Sequence, residues 1–154
     1  MSAHLPPIEE LIPHRGGMLL VERVLAWRED WVAVSATPQP STWYAEAEGM
    51  PSWIGIELIA QAVGAHVGLL ARSRGEPPKK GVLLGTRAYR SRLACFPFGA
   101  PLRIEALLTF RDETGLGSFD GSIALEGAEV AKASLTVYEP EDFDAFLAQA
   151  SAAR

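Results

Sequence analysis

The sequence predicts an α+β fold in which one antiparallel β-sheet wraps around a single long helix. Two observations carry this expectation. The run Pro51–Ala71 is apolar on almost every side at helical spacing, with only Glu57, Gln61 and His66 as strongly polar interruptions, which marks a helix enclosed by other structure. Two strand-like runs precede it and four follow, separated by glycine- and proline-bearing turns, and a sheet and a helix each have an apolar face to bury.

Taken in order, Ile8–Ile12 reads as a short helix stopped at Pro13, because the residue before a proline is pushed out of the helical region. Met18–Trp27 and Trp31–Thr37, rich in Val, Leu and Trp, read as paired strands joined at Arg28–Asp30, and Pro38 and Pro40 end the second. Pro51 and Ser52 supply helix-start chemistry, and the segment from Gly75 to Pro78 supplies the breakers that end the helix. The later strands are Gly81–Arg92, Leu102–Arg111, Leu116–Glu126 and Glu129–Glu139. In the last of these Ala131, Ala133, Leu135 and Val137 share one face while Lys132, Ser134 and Thr136 share the other, the pattern of a half-buried strand. Asp142–Ala150, with Phe143, Phe146 and Leu147 on one side, reads as a short terminal helix.

The chain of 154 residues fits one domain, 1–154, large enough to bury a core without staples. The apolar run approaches the length of a membrane span, but a carboxylate, an amide and an imidazole within it argue against that use. The N-terminus has neither a basic region nor a signal-type apolar core, so a cytoplasmic location is expected. The lone Cys95 fits a reducing compartment and has no Cys or His at metal-ligand spacing. A formal net charge of -5 argues against nucleic-acid binding. Yet Arg72, Arg74, Lys79, Lys80, Arg87, Arg90 and Arg92 face the single acid Glu76 in one window, either a solvated face or a landing site for an acidic partner.

Ile12–Arg15 (Ile-Pro-His-Arg) followed by Leu19–Val24 resembles the N-terminal signature of the FabZ-type 3-hydroxyacyl-(acyl carrier protein) dehydratases, which have the hotdog fold. Gly55–Gly64 (Gly-Ile-Glu-Leu-Ile-Ala-Gln-Ala-Val-Gly) resembles the helix segment holding that family's catalytic acid, and Phe96–Gly99 and Ala124–Leu135 extend the likeness over most of the chain. Met50–Gln61 is more similar still to a subgroup linked to aryl-polyene biosynthesis. The resemblance implies a hotdog domain that pairs side by side into a continuous sheet, as a homodimer, a higher homo-oligomer or a heterodimer with another hotdog dehydratase. It implies an acyl thioester of acyl carrier protein or coenzyme A as substrate, Glu57 as the catalytic acid, and no metal or organic cofactor.

The sequence departs from that family at one point. The family's catalytic histidine lies in a Gly-His-Phe-Pro-Gly loop ahead of the helix, whereas Trp43 stands at that place here and no histidine lies between His14 and His66. Dehydrating a 3-hydroxyacyl thioester requires removal of a proton beside the carbonyl and protonation of the departing hydroxyl. A carboxyl suits one task and an imidazole the other. His14, within a matched motif, reads by default as a structural residue and is the one other histidine that could supply the imidazole; otherwise a second hotdog subunit would supply it across the interface. His66 lies nine positions beyond Glu57 and so points to the opposite side of the helix.

The remaining expectations concern binding. Gln61 lies one turn beyond Glu57 on the same face, as a substrate contact or as a partner that satisfies the carboxylate. Gly55 would let substrate approach the first turn, whose unpaired N–H groups would polarise the thioester carbonyl. Trp43 and Trp53, with Tyr44, would line an acyl tunnel or pack in the core. Arg90, Arg92, Lys79 and Lys80 are the candidate carrier-protein contacts. Two functional classes remain: a dehydratase or related hotdog thioesterase, and a non-catalytic or half-site subunit that binds acyl chains and completes a partner's site.

Overall fold

A computed structural model of the chain describes residues 4–77 and 81–152. Six strands form one antiparallel sheet: β1 (Arg23–Arg28), β2 (Trp31–Ala36), β4 (Val82–Ser91), β6 (Leu102–Arg111), β7 (Leu116–Leu125) and β8 (Ala128–Tyr138). Their spatial order is β1-β2-β6-β7-β8-β4, so β1 and β4 are the edges. Two-residue strands β3 (Met50–Pro51) and β5 (Cys95–Phe96) pair separately beside the start of the long helix α1 (Gly55–Ser73). A second helix, α2 (Phe143–Ala152), follows the sheet.

The inward alternation read in β8 holds: Ala131, Ala133, Leu135 and Val137 are buried. They meet α1 together with Ile104, Phe119 and Ile123, and Leu58, Ile59 and Ala62 of the helix are fully enclosed. Contact is close enough that a Cβ at Gly121 on β7 would run into the Ile59 side chain. The only described helix long and apolar enough to cross a membrane spans Ser52–Ser73 and is mostly buried in this core.

Helix α1 begins from a 3-10 turn, Ser52–Ile54, and the Ser52 N–H donates to the Ala94 carbonyl at 3.0 Å. It ends in a Schellman turn. Gly75 adopts φ +65°, its N–H bonds the Arg72 carbonyl and the Glu76 N–H bonds the Ala71 carbonyl, which satisfies carbonyls the last turn leaves unpaired. The β7–β8 connection is the two-residue loop Glu126–Gly127, both with positive φ, the geometry that matches strand twist.

Two elements differ from expectation. The first strand begins at Arg23 rather than Met18, with a 3-10 turn over Gly16–Met18 and an extended stretch between. The terminal helix buries no residue; Phe146 packs its ring 5.2 Å from that of Tyr138 and Leu147 stays exposed. Cys95 is partly exposed.

Candidate active site

The N-terminal segment runs back along α1 as a strap. Ile8, Leu11 and Ile12 are buried in the core. A Cβ at Gly68 would strike the Leu11 backbone, and one at Gly64 would crowd Ile12, so two glycines of the helix let the strap lie close. Beyond Pro13 the Arg15 guanidinium folds the chain around itself, donating to the Ile12 carbonyl at 2.8 Å, the His14 carbonyl at 2.6 Å and the Glu9 carbonyl at 2.6 Å.

This path brings the His14 ring to the helix. Its Nε2 lies 3.5 Å from Glu57 Oε1, the side chains being 32% and 40% exposed. The carboxylate therefore sits at an open mouth rather than sealed inside the core. His14 Nδ1 is buried with no hydrogen-bond partner among the described residues, so Nε2 is the ring atom placed to exchange a proton near the carboxylate.

Gln61 ties strap to helix. Its Nε2 donates to Glu57 Oε1 at 3.0 Å and to the Met18 carbonyl at 2.7 Å, while its Oε1 accepts from the N–H groups of Leu20 and Val21 at 3.0 and 3.3 Å. Both N–H bonds and both lone pairs are used, so this fully buried amide orients the site and has nothing left for a substrate.

From the His14–Glu57 pair a groove of about 440 Å³ follows one face of α1 past Ala60, Val63, Gly64 and Val67. The strap forms one wall, and Val82, Leu83 and Val137 form the other. At 1.5 Å per residue the helical floor from Glu57 to Val67 is roughly 15 Å long. Its apolar lining and polar mouth suit an extended hydrocarbon with a reactive head. Glu139 lies at the far end, bonded to Arg111 Nη2 at 2.9 Å.

The other expected residues fall elsewhere. Trp43 and Trp53 are 57% and 62% exposed and neither lines this groove. The Trp43 indole N–H is spent on the Gly17 carbonyl at 2.7 Å, whereas Tyr44 is buried and its hydroxyl accepts from the Gln39 N–H. Gly55 is buried, and the space a side chain would need is filled by the Tyr89 hydroxyl, which donates to the Ser52 carbonyl. The glycine is thus required by Tyr89 of β4, a contact that sequence spacing did not indicate. Burial raises the Tyr89 pKa above its ordinary value.

His66 points away from Glu57, as its position implies. It is fully buried, its Nε2 sits 2.8 Å from the Glu29 carbonyl, and its ring packs edge-on to Phe119. The basic window divides. Arg72 pairs with Glu10 at 2.9 Å and Arg74 with Glu29 at 3.4 Å. Arg90 and Arg92 are exposed, with Arg90 directly opposite the exposed Lys132 on β8. Lys79 and Lys80 lie outside the described residues. No group of three His, Cys, Asp or Glu side chains able to hold a metal occurs among the described residues.

Residues 6–148 match the ApeP-like family, described as ApeP dehydratase. The chain belongs to that family. It is a dehydratase-like protein of the hotdog fold. The dehydratase heterocomplex ApeI:P from Xenorhabdus doucetiae contains a similar structure, at TM-score 0.85 and 29% identity over 94% of this chain and 97% of that one. A hypothetical thioesterase protein from Streptococcus pneumoniae TIGR4, solved with coenzyme A, shares the fold at TM-score 0.61 and 19% identity, covering 76% of this chain and 84% of its own. The protein smu.793 from Streptococcus mutans UA159, solved with acetyl CoA, does so at TM-score 0.58 and 18% identity, covering 75% and 86%. No curated protein matches the chain.

Proposed function

We propose that this protein dehydrates 3-hydroxyacyl thioesters in fatty-acid or polyene synthesis, with Glu57 and His14 sharing the two proton transfers. The observation that carries the reading is the 3.5 Å approach of His14 Nε2 to Glu57 Oε1 at the mouth of an apolar groove. One group takes the proton from the carbon beside the thioester carbonyl and the other protonates the leaving hydroxyl, so that water departs and an enoyl thioester remains. The acyl chain lies along Ala60, Val63 and Val67. An imidazole suits the second proton transfer, and His14 supplies one within the chain although Trp43 occupies the family's usual histidine position.

The protein works as part of a pair. Edge strand β4 presents an unpaired ladder with Leu83 and Leu84 40% and 52% exposed, the kind of edge that proteins cover. The similar ApeI:P structure is a heterocomplex, which supports a second, non-identical subunit; light scattering of the pure chain separates this from self-pairing. The carrier is acidic acyl carrier protein. Exposed Arg90 and Arg92 on and beside β4 suit an acidic partner.

The deciding experiment incubates the protein, alone and with a co-expressed hotdog partner, with a 3-hydroxyacyl carrier protein and follows enoyl thioester and free acid. Enoyl product that is lost in both Glu57→Gln and His14→Ala supports the reading. Free acid as the sole product would make the protein a thioesterase, and full dehydration by His14→Ala would move the base to the partner subunit.

A further inference from the structure

The strap that carries His14 is held at three places, and one hold comes from Trp43. Upstream, Arg15 gathers the carbonyls of Glu9, Ile12 and His14. Downstream, Gln61 binds Met18, Leu20 and Val21. Between them lies Gly17, three residues beyond His14, and there the Trp43 indole donates to the carbonyl at 2.7 Å. The indole edge also comes so close to the strap that a Cβ at Gly17 would lie 3.3 Å from its Cδ1. Gly16, in the same 3-10 turn, adopts φ +58°, so the turn is a tight one that Trp43 covers.

Trp43 is itself anchored. Its neighbour Tyr44 is buried, contacts the indole edge-on at 5.7 Å and accepts from the Gln39 N–H, and Thr42 Oγ1 donates to the Gln39 carbonyl at 2.8 Å. The loop therefore offers a fixed post on which the strap leans. The ring is more than half exposed and lies outside the groove, so its clearest use is the bond it makes.

We infer that Trp43 is a positioning residue for His14, holding the strap so that Nε2 meets Glu57. This rests on the His14–Glu57 reading. At 3.5 Å the pair is at the outer limit of productive contact, and small displacements of catalytic groups carry large rate penalties. The residue at the family's histidine position thus serves the reaction by placing a different histidine.

The test uses Trp43→Phe, which keeps an aromatic ring beside Tyr44 and removes the N–H, and Trp43→His, which installs an imidazole. Turnover is measured on whichever assembly is active, the chain alone or with its partner. Both variants should lower kcat by about tenfold with KM within about twofold and the melting temperature little changed. In parallel, the His14 ring resonances should respond to Glu57→Gln when Trp43 is present and cease to respond in the Trp43→Phe background, a readout that needs no turnover. A Trp43→His variant that gains activity, or a Trp43→Phe variant with wild-type kcat and an intact His14 response, overturns the inference. Failure of the underlying pair looks different: His14→Ala would then retain full turnover whatever stands at position 43.

Discussion

Gln61 and Glu57, one turn apart on α1, share a 3.0 Å hydrogen bond, and the same amide closes three further bonds to the backbone of Met18, Leu20 and Val21. A single buried side chain thus fixes the carboxylate and the strap in one frame. Replacing it with Leu would leave two N–H groups and a carbonyl without their partner. Gln61→Leu is expected to cost about 2–4 kcal/mol of stability, measured by urea unfolding, and to lower turnover further than stability explains. A loss below about 1 kcal/mol would show that water replaces the amide freely.

The groove makes a prediction about chain length. Ala60 sits one turn beyond Glu57 on the floor, ahead of Val63 and Val67. Ala60→Phe fills the near part of a cavity of about 440 Å³, so long 3-hydroxyacyl thioesters should lose kcat/KM by at least about tenfold while short ones lose little. Equal loss for both lengths would place the acyl chain elsewhere.

The helix and the long strands were legible because their periodicity is set by burial on one face, as Ala131, Ala133, Leu135 and Val137 show. What escaped depends on contacts between distant residues. Met18–Glu22 has strand-like composition, yet the Leu20 and Val21 N–H groups bond the Gln61 side chain in place of a neighbouring strand. The pairs Met50–Phe96 and Pro51–Cys95 are too short to leave a pattern. Glu57 reads from the sequence as one of three polar exceptions in an apolar helix, but its half-open setting depends on tertiary packing that no local spacing records. The matched motif nominates His14, but not its distance from Glu57: Arg15, Gly64 and Gly68 fold the strap back, and no local spacing records that path.

Carrier docking should follow charge. Arg90 faces Lys132 across the β4–β8 ladder and Arg92 lies just beyond, all exposed. Arg90→Glu with Arg92→Glu is expected to weaken binding of acyl carrier protein about tenfold or more at low salt, with the difference shrinking as ionic strength rises. Titration calorimetry at two salt concentrations gives the answer, and unchanged low-salt affinity would leave this surface merely solvated.

Buried His66 makes the fold sensitive to acid. Burial holds its pKa below the ordinary 6.5; the bond to the Glu29 carbonyl opposes this most, the Arg111 charge adds to the lowering, and the Arg28 carbonyl and Asp30 oppose it further. Its Nε2 meets the Glu29 carbonyl while Nδ1 is buried without a partner among the described residues, so a second proton would be left unpaired in the core. As pH falls through 6.5 the unfolded chain takes up this proton and the folded chain does not, until its own lower pKa is reached. Stability is therefore unaffected by this group above about pH 7 and is lost progressively as the pH drops below 6.5 toward the folded pKa. His66→Leu forfeits the bond to Glu29, at a cost of about 1 kcal/mol near pH 8, but removes the titrating group. Melting curves between pH 8 and pH 5 should accordingly fall more steeply for the wild type than for His66→Leu, the gap between them narrowing as the solution is acidified. Parallel curves across that range would mean that His66 gains its second proton in the folded chain without penalty.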